Sequence, residues 1–188
     1  LAFVMQANVV RQENIELALA TEFRVGFYVG KDNTPNKISK NEKLSSRGER
    51  QQNLDLLLES DQDTLNEYYR FIDKCPCCGK KMINVRFNKE RWVLEHICDN
   101  PDCPADVLPL FIVDSEIYRY LPSIVVSTID KMSLIGISNE FKALFGQVKC
   151  YCPIHGFSTG SKCTCAESGC SGRVQAVGYL KDPVPTLF

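Results

Sequence analysis

The sequence predicts an α/β fold, a parallel sheet with two small cysteine-rich modules inserted into it. Three observations lead there. Short apolar runs alternate with stretches of helical periodicity, the order that builds a parallel sheet with covering helices. Ten cysteines fall into two tight groups, within 75–103 and 150–170. The chain has 188 residues, 44% hydrophobic and 24% charged, enough for one ordinary domain plus a small one. The net charge of −1 supplies no global electrostatic pull toward nucleic acid or a membrane. No apolar run approaches the roughly 18 residues that span a bilayer, and no basic start followed by an apolar stretch reads as a secretion signal. The expected location is the cytoplasm, with no membrane partner. The chain opens on Leu1 inside a helical pattern and stops within the apolar run "DPVPTLF", so a piece of a larger protein is expected.

In chain order, residues 1–20 carry Val9, Ile15 and Leu19 at helical spacing and predict a helix with that apolar face. "FRVGFYVG" reads as a buried strand ending at Gly30. The next twenty residues hold six basic and three acidic side chains among Asn, Ser, Gly and Pro, a loop with a net +3. "QQNLDLLLESDQDTLNEYYRFI" reads as an acidic helix with a break near Ser60. "LPLFIVDSEIYRYLPSIVVSTIDKMS" gives strand, short helix, strand; "NEFKALFG" gives a short helix closed by Gly146. "GRVQAVGYL" returns as a strand. The resulting units are 1–72, part of the sheet domain with the basic loop and the acidic helix; 73–106, a zinc-ribbon insertion; 107–148, the strand–helix–strand segment with "STIDK"; 149–173, a second knuckle module; and 174–188, the return strand.

The two cysteine groups share a plan. The first reads "CPCCG" and then "CDNPDCP"; the second reads "CPIHG" and then "CAESGC". Each begins ligand-Pro-x-ligand-Gly and ends C-x-x-x-x-C. The repeat assigns Cys75, Cys78, Cys98 and Cys103 to one metal and Cys152, His155, Cys165 and Cys170 to another. Cys77, Cys150 and Cys163 are rivals or spares, and His96 reads as a strand histidine. Zinc takes four thiolate or imidazole ligands in a tetrahedron. A C-P-x-C-G turn aims two of them at one centre, with backbone N–H groups free to support thiolate sulfur. With the compartment expected to be reducing, metal is favoured over disulfides. Both sets are complete at four, so two structural zinc sites are expected; a catalytic zinc keeps a position open for water.

Between the halves of the first site lies "KKMINVRFNKERWVLEHI", two strand-like runs joined near Asn88. From Lys74 to Arg91 it carries six Lys or Arg against one Glu, with Phe87 and Trp92 among them. Basic residues interleaved with aromatics suit single-stranded nucleic acid, which makes Lys80, Lys81, Arg86 and Arg91 candidate contacts. A solvated surface hairpin would carry the same charge.

"YRYLPSIVVSTIDKMSLIGISNEFKALFG" resembles the first RecA-like domain of superfamily 2 helicases, where a buried strand ends in a Ser/Thr-rich motif at the nucleic-acid face. Within that superfamily the chain is most similar to the helicase component of bacterial DISARM-type anti-phage systems, through "IVVSTIDK" and the two cysteine modules. The resemblance implies a partial RecA-like sheet, with Gly26 and Gly30 in its first strand and loop. It implies nucleic-acid contact through Ser127, Thr128 and Lys131, with Asp130 as contact or helix cap. DNA is the implied partner, RNA the alternative, together with a partner subunit of a defence complex. "DPVPTLF" would lead toward a DExH box. No G-x-x-x-x-G-K-[ST] loop and no D-E-x-[DH] box occurs in the chain, so ATP and Mg²⁺ would be handled by other parts of the parent, and the chain alone is expected to hydrolyse nothing. A free-standing zinc-ribbon module that binds nucleic acid or protein is the rival reading. A zinc enzyme using Glu95 or Glu167 as base is a weaker rival, since neither lies in an H-x-E or H-E-x-x-H setting.

Overall fold

The computed structural model describes residues 1–30, 34–38, 62–133, 137–163, 170 and 172–180. Most of the basic loop, the first half of the acidic helix and the final "DPVPTLF" lie outside them. The fold is α/β, as expected. Its centre is a parallel sheet of order β4-β1-β5, built from β1 (Val25–Tyr28), β4 (Leu110–Phe111) and β5 (Ile124–Ser127). Val25 pairs with both Leu110 and Ile124. The helix α3 (Asp114–Tyr120) makes the crossover from β4 to β5.

Both faces of this sheet are covered. Val25, Leu110 and Ile124 turn to one core with Leu65, Tyr69, Val85 and Leu94. Tyr28, Phe111 and Val125 turn to the other with Ile117, Phe141 and Leu144. Alternation along each short strand thus divides the apolar residues between two cores. Gly26 sits where α3 crosses: a Cβ there would come within 2.8 Å of Pro122 and 2.9 Å of Ile117. Phe141–Phe145 form a 3-10 helix ended by left-handed Gly146, close to the short helix expected.

The first helix departs from the sequence pattern. α1 spans only Ala2–Glu13, so of the helically spaced apolar residues only Val9 lies in it, and Val9, Ile15 and Leu19 are 44%, 92% and 98% exposed. Val4, Asn8 and Arg11 are buried instead. Asn8 exchanges two 2.8 Å hydrogen bonds with the backbone of Phe23. Arg11 donates to the carbonyls of Ala18 and Ala20. These polar side chains satisfy the loop that carries the chain back to β1, and that requirement outranks the apolar stripe.

The second helix, α2 (Gln62–Tyr69), leads into the ribbon hairpin of β2 (Ile83–Asn88) and β3 (Val93–Cys98), which pair antiparallel from Ile83↔Cys98 to Asn88↔Val93. The hairpin belongs to the main core: Ile83, Val85 and Leu94 are within 2% of full burial. The free edge of β3 is closed on its other side. Leu108 N–H donates to the His96 carbonyl, Cys98 N–H to the Asp106 carbonyl, and Leu94 N–H to Glu116 Oε1 at 2.7 Å. Glu116 therefore ties α3 to the ribbon.

That tie sets a pH dependence. Burial pushes the Glu116 carboxyl up to about 8, against the smaller opposing pull of the Leu94 N–H and the Arg119 charge. The folded state then holds a proton across pH 4.5–8 that the unfolded chain has lost, so stability falls as pH rises through that window. Glu116→Gln keeps an acceptor for Leu94 and has no charge to bury. Because each pH unit inside the window costs the parent about 1.4 kcal/mol, the variant is expected to be more stable than the parent by about 3 kcal/mol at pH 6.5 and by about 5 kcal/mol at pH 9. Urea denaturation of the zinc-loaded protein at the two pH values checks this; a difference independent of pH would show that Glu116 folds ionised.

A short helix, α4 (Ile129–Met132), follows β5, and the remaining strands are β6 (Cys150–Cys152), β7 (Gly156–Ser158) and β8 (Gln175–Ala176). They form an antiparallel sheet of order β7-β6-β8. The "GRVQAVGYL" strand thus pairs with the second knuckle module, through Cys150↔Ala176, and not with the parallel sheet. No helix among the described residues is long and apolar enough to cross a membrane.

Candidate metal centres

The ligand turns form where local sequence dictates. In "CPCCG" the Cys75 N–H bonds the Lys80 carbonyl and the Gly79 N–H returns to Cys75 at 2.8 Å, with Gly79 at φ 73°. This presents Cys75 and Cys78 on one side. Cys98 ends β3, and a turn closed by Cys103 N–H to the Asn100 carbonyl brings Cys103 back. The donor atoms of Cys75, Cys78, Cys98 and Cys103 all lie within 4.8 Å of one another. The Cys75–Cys103 and Cys78–Cys98 sulfurs are 3.7 Å apart. A tetrahedron with Zn–S bonds of about 2.3 Å has edges of about 3.8 Å, so the donors fit a zinc ion. Backbone N–H donation from Lys80 brings the Cys78 thiol down to about 7, while burial drives Cys98 up to about 12. Cys77 points outward and is not in the set.

The second set is Cys152, His155, Cys163 and Cys170, again within 4.8 Å. His155 Nδ1 is 3.6, 3.4 and 3.3 Å from the sulfurs of Cys152, Cys163 and Cys170, and Cys152 and Cys170 are 3.5 Å apart. Mixed S/N edges around zinc are about 3.6 Å, so these donors also fit. Burial first, and the Arg119 charge second, lower the His155 pKa against the opposing influence of Glu90, which keeps the imidazole neutral as a ligand must be. Cys165, assigned from the repeat, lies outside the described residues; Cys163, treated as a rival, occupies the fourth position among those described. Cys150 is buried on β6 and is not part of the cluster. No disulfide links the described cysteines.

The other candidate residues are dispersed. Lys81 is exposed. Lys80 bonds Asn100 Oδ1 at 2.8 Å, and Arg86 forms a 2.8 Å ion pair with Glu95. Arg91 lies over the Tyr120 ring. Phe87 and Trp92 meet edge to face, half-buried, at 5.3 Å, so these aromatics are turned into the hairpin's own packing. Ser127 ends β5, and Thr128 is the exposed N-cap of α4, with no side-chain cap bond. Asp130 lies in the first turn and is not the cap. Lys131 is 9% exposed, its ammonium paired with Asp114 and bonded to Asn36. Burial raises Asp114 to about 6 despite that partner. His96, fully buried, accepts from the Phe71 N–H, and burial lowers it to about 4; it ligates no cluster, as a strand histidine should not.

The fold and these centres define an α/β protein carrying two zinc-type tetrads, one of four thiolates and one of three thiolates and an imidazole. No protein-family model matches the chain. The chain is similar to the DISARM protein DrmA of Bacillus paralicheniformis, 34% identical over 153 residues that cover 73% of this chain and 12% of that relative. The chain thus spans about an eighth of the curated protein it matches.

Proposed function

We propose that the chain is the zinc-braced segment of a DISARM-type anti-phage defence protein, in which both metals are structural. The observation that carries this reading is the pair of complete four-donor tetrads, found in a chain similar to a protein of that system. Each centre ties short turns that have too little apolar surface to order themselves. The purified chain is expected to hold two zinc ions, measured by mass spectrometry of the intact protein under native conditions. One or none would overturn the two-site reading.

The finer reading is of a superfamily 2 helicase that moves on DNA, with ATP and Mg²⁺ bound by parts of the parent outside this chain. Two things support it. Ser127 and Thr128 stand at the carboxyl end of a parallel strand, where α/β sheets carry ligands. Lys80 and Lys81 stand exposed beside the first metal turn. Fluorescence anisotropy with single- and double-stranded oligonucleotides is expected to show affinity that falls steeply with added salt. Lys80→Ala/Lys81→Ala should weaken it about tenfold at low salt and flatten the salt slope. Binding that ignores salt, or none to DNA or RNA, would remove the nucleic-acid role.

A further inference from the structure

We propose that the tip of the ribbon hairpin, residues 88–92, forms the outer shell of the second metal site, so that the two metal centres are coupled through the hairpin. The inference rests on the zinc reading above. One end of the hairpin carries the first site: Cys98 pairs with Ile83, just after the Cys75–Gly79 turn. The other end reaches the second site. Trp92 packs, with Ile154 and Cys170, against the buried pair Cys152 and Cys163. The Glu90 backbone carbonyl is a hydrogen-bond partner of the His155 ring. Such contacts orient a ligating imidazole and set its basicity.

The tip is also held by α3. Arg119 donates from Nη2 to the Trp92 carbonyl at 2.5 Å and from Nη1 to the Arg91 carbonyl at 3.3 Å. The Tyr120 hydroxyl stands 2.9 Å from two carbonyls, Arg91 of the hairpin and Ile154 of the second knuckle. Trp92 is held at φ 58°, a left-handed conformation that a bulky side chain adopts only when its surroundings impose it. Filling the first site fixes the hairpin, which places Trp92 and Glu90 for the second. By linkage, filling the second must tighten the first by the same factor.

The test is cobalt(II) titration of the intact chain, because a four-thiolate centre and a three-thiolate–imidazole centre differ in visible absorption and can be followed separately. Trp92→Gly suits the backbone conformation and removes the whole side chain, with its contact to the second centre and its bond to the Ile38 carbonyl. Tyr120→Phe removes one hydroxyl and serves if the first variant does not fold. Both are expected to weaken the three-thiolate centre about tenfold. In Cys98→Ser, which loses the first centre, the remaining second centre is expected to fill more weakly than in the parent. Emission from Trp92, the sole tryptophan, should shift as the second centre fills. Parental affinity at that centre in both Trp92→Gly and Tyr120→Phe would overturn the coupling and leave the zinc reading intact. A parent chain that takes up fewer than two metals overturns the zinc reading itself, and the coupling with it.

Discussion

Cys98→Ser is expected to cost the chain one of its two zinc ions and most of its cooperative unfolding transition. Cys98 lies at the meeting point of metal and core. It is 8% exposed, its sulfur is 3.7 Å from that of Cys78, and it belongs to the same apolar cluster as Val85 and Leu94. A serine hydroxyl is a poor zinc ligand, and three thiolates left around a weakened site repel one another. Structural zinc contributes about 10–16 kcal/mol of apparent binding energy in small zinc domains at neutral pH. Whole domains are stable by only about 5–15 kcal/mol, so the metal term here rivals the total. Native mass spectrometry should show the stoichiometry fall from two to one, and thermal melting followed by circular dichroism should lose its sharp step or move down by more than about 10 °C. Cys77→Ser is the control: its side chain is exposed and outside the cluster, so neither measurement should change. Two zinc ions retained in Cys98→Ser would break the assignment of the first site.

The first centre was legible in the sequence because everything that builds it is local. The Cys75–Gly79 turn and the Cys98–Cys103 turn each close on themselves through backbone bonds, and the runs between them pair in the register their alternation implies. The parallel strands and the crossover helix were legible for the same reason, since short apolar runs bounded by Gly, Pro and a helix admit little else. At the second centre the internal repeat pointed to the C-x-x-x-x-C spacing. Cys163 arrives there by a different route, through the turn that follows β7, and no spacing rule marks it. Long-range burial was the other blind spot. Lys131 meets Asp114 seventeen positions away, Glu116 meets Leu94 at twenty-two, and His96 meets Phe71 at twenty-five. A charged residue in "STIDK" or a basic ribbon looks like surface until its partner is known. α1 shows the converse, with apolar side chains outside because Asn8 and Arg11 are needed within.

Gly156→Ala is expected to separate the second knuckle module from α3. Gly156 opens β7 at φ 80°, and a Cβ there would lie 2.2 Å from the Arg119 carbonyl oxygen and 2.9 Å from its carbon. Those are backbone atoms of a helix pinned by Ile117, fully buried in the core, and by Glu116 on the edge of β3. They cannot yield by a rotamer change, so the knuckle must move. Gly79→Ala separates the two causes: Gly79 has φ 73°, yet a Cβ there meets nothing within 4 Å. It should cost only the left-handed conformation, about 1 kcal/mol. Gly156→Ala should cost that plus the clash, about 4 kcal/mol or more, the range reached only by steric or buried-polar failures. Urea denaturation of both zinc-loaded variants measures the difference. Equal losses would mean that the knuckle gives way at no cost and that its contact with α3 is loose. A large excess for Gly156→Ala, with weaker metal retention at the second centre alone, would mean that α3 holds this module by shape. Arg119 and Tyr120 could then position the hairpin tip against His155 only while that close backbone contact is kept.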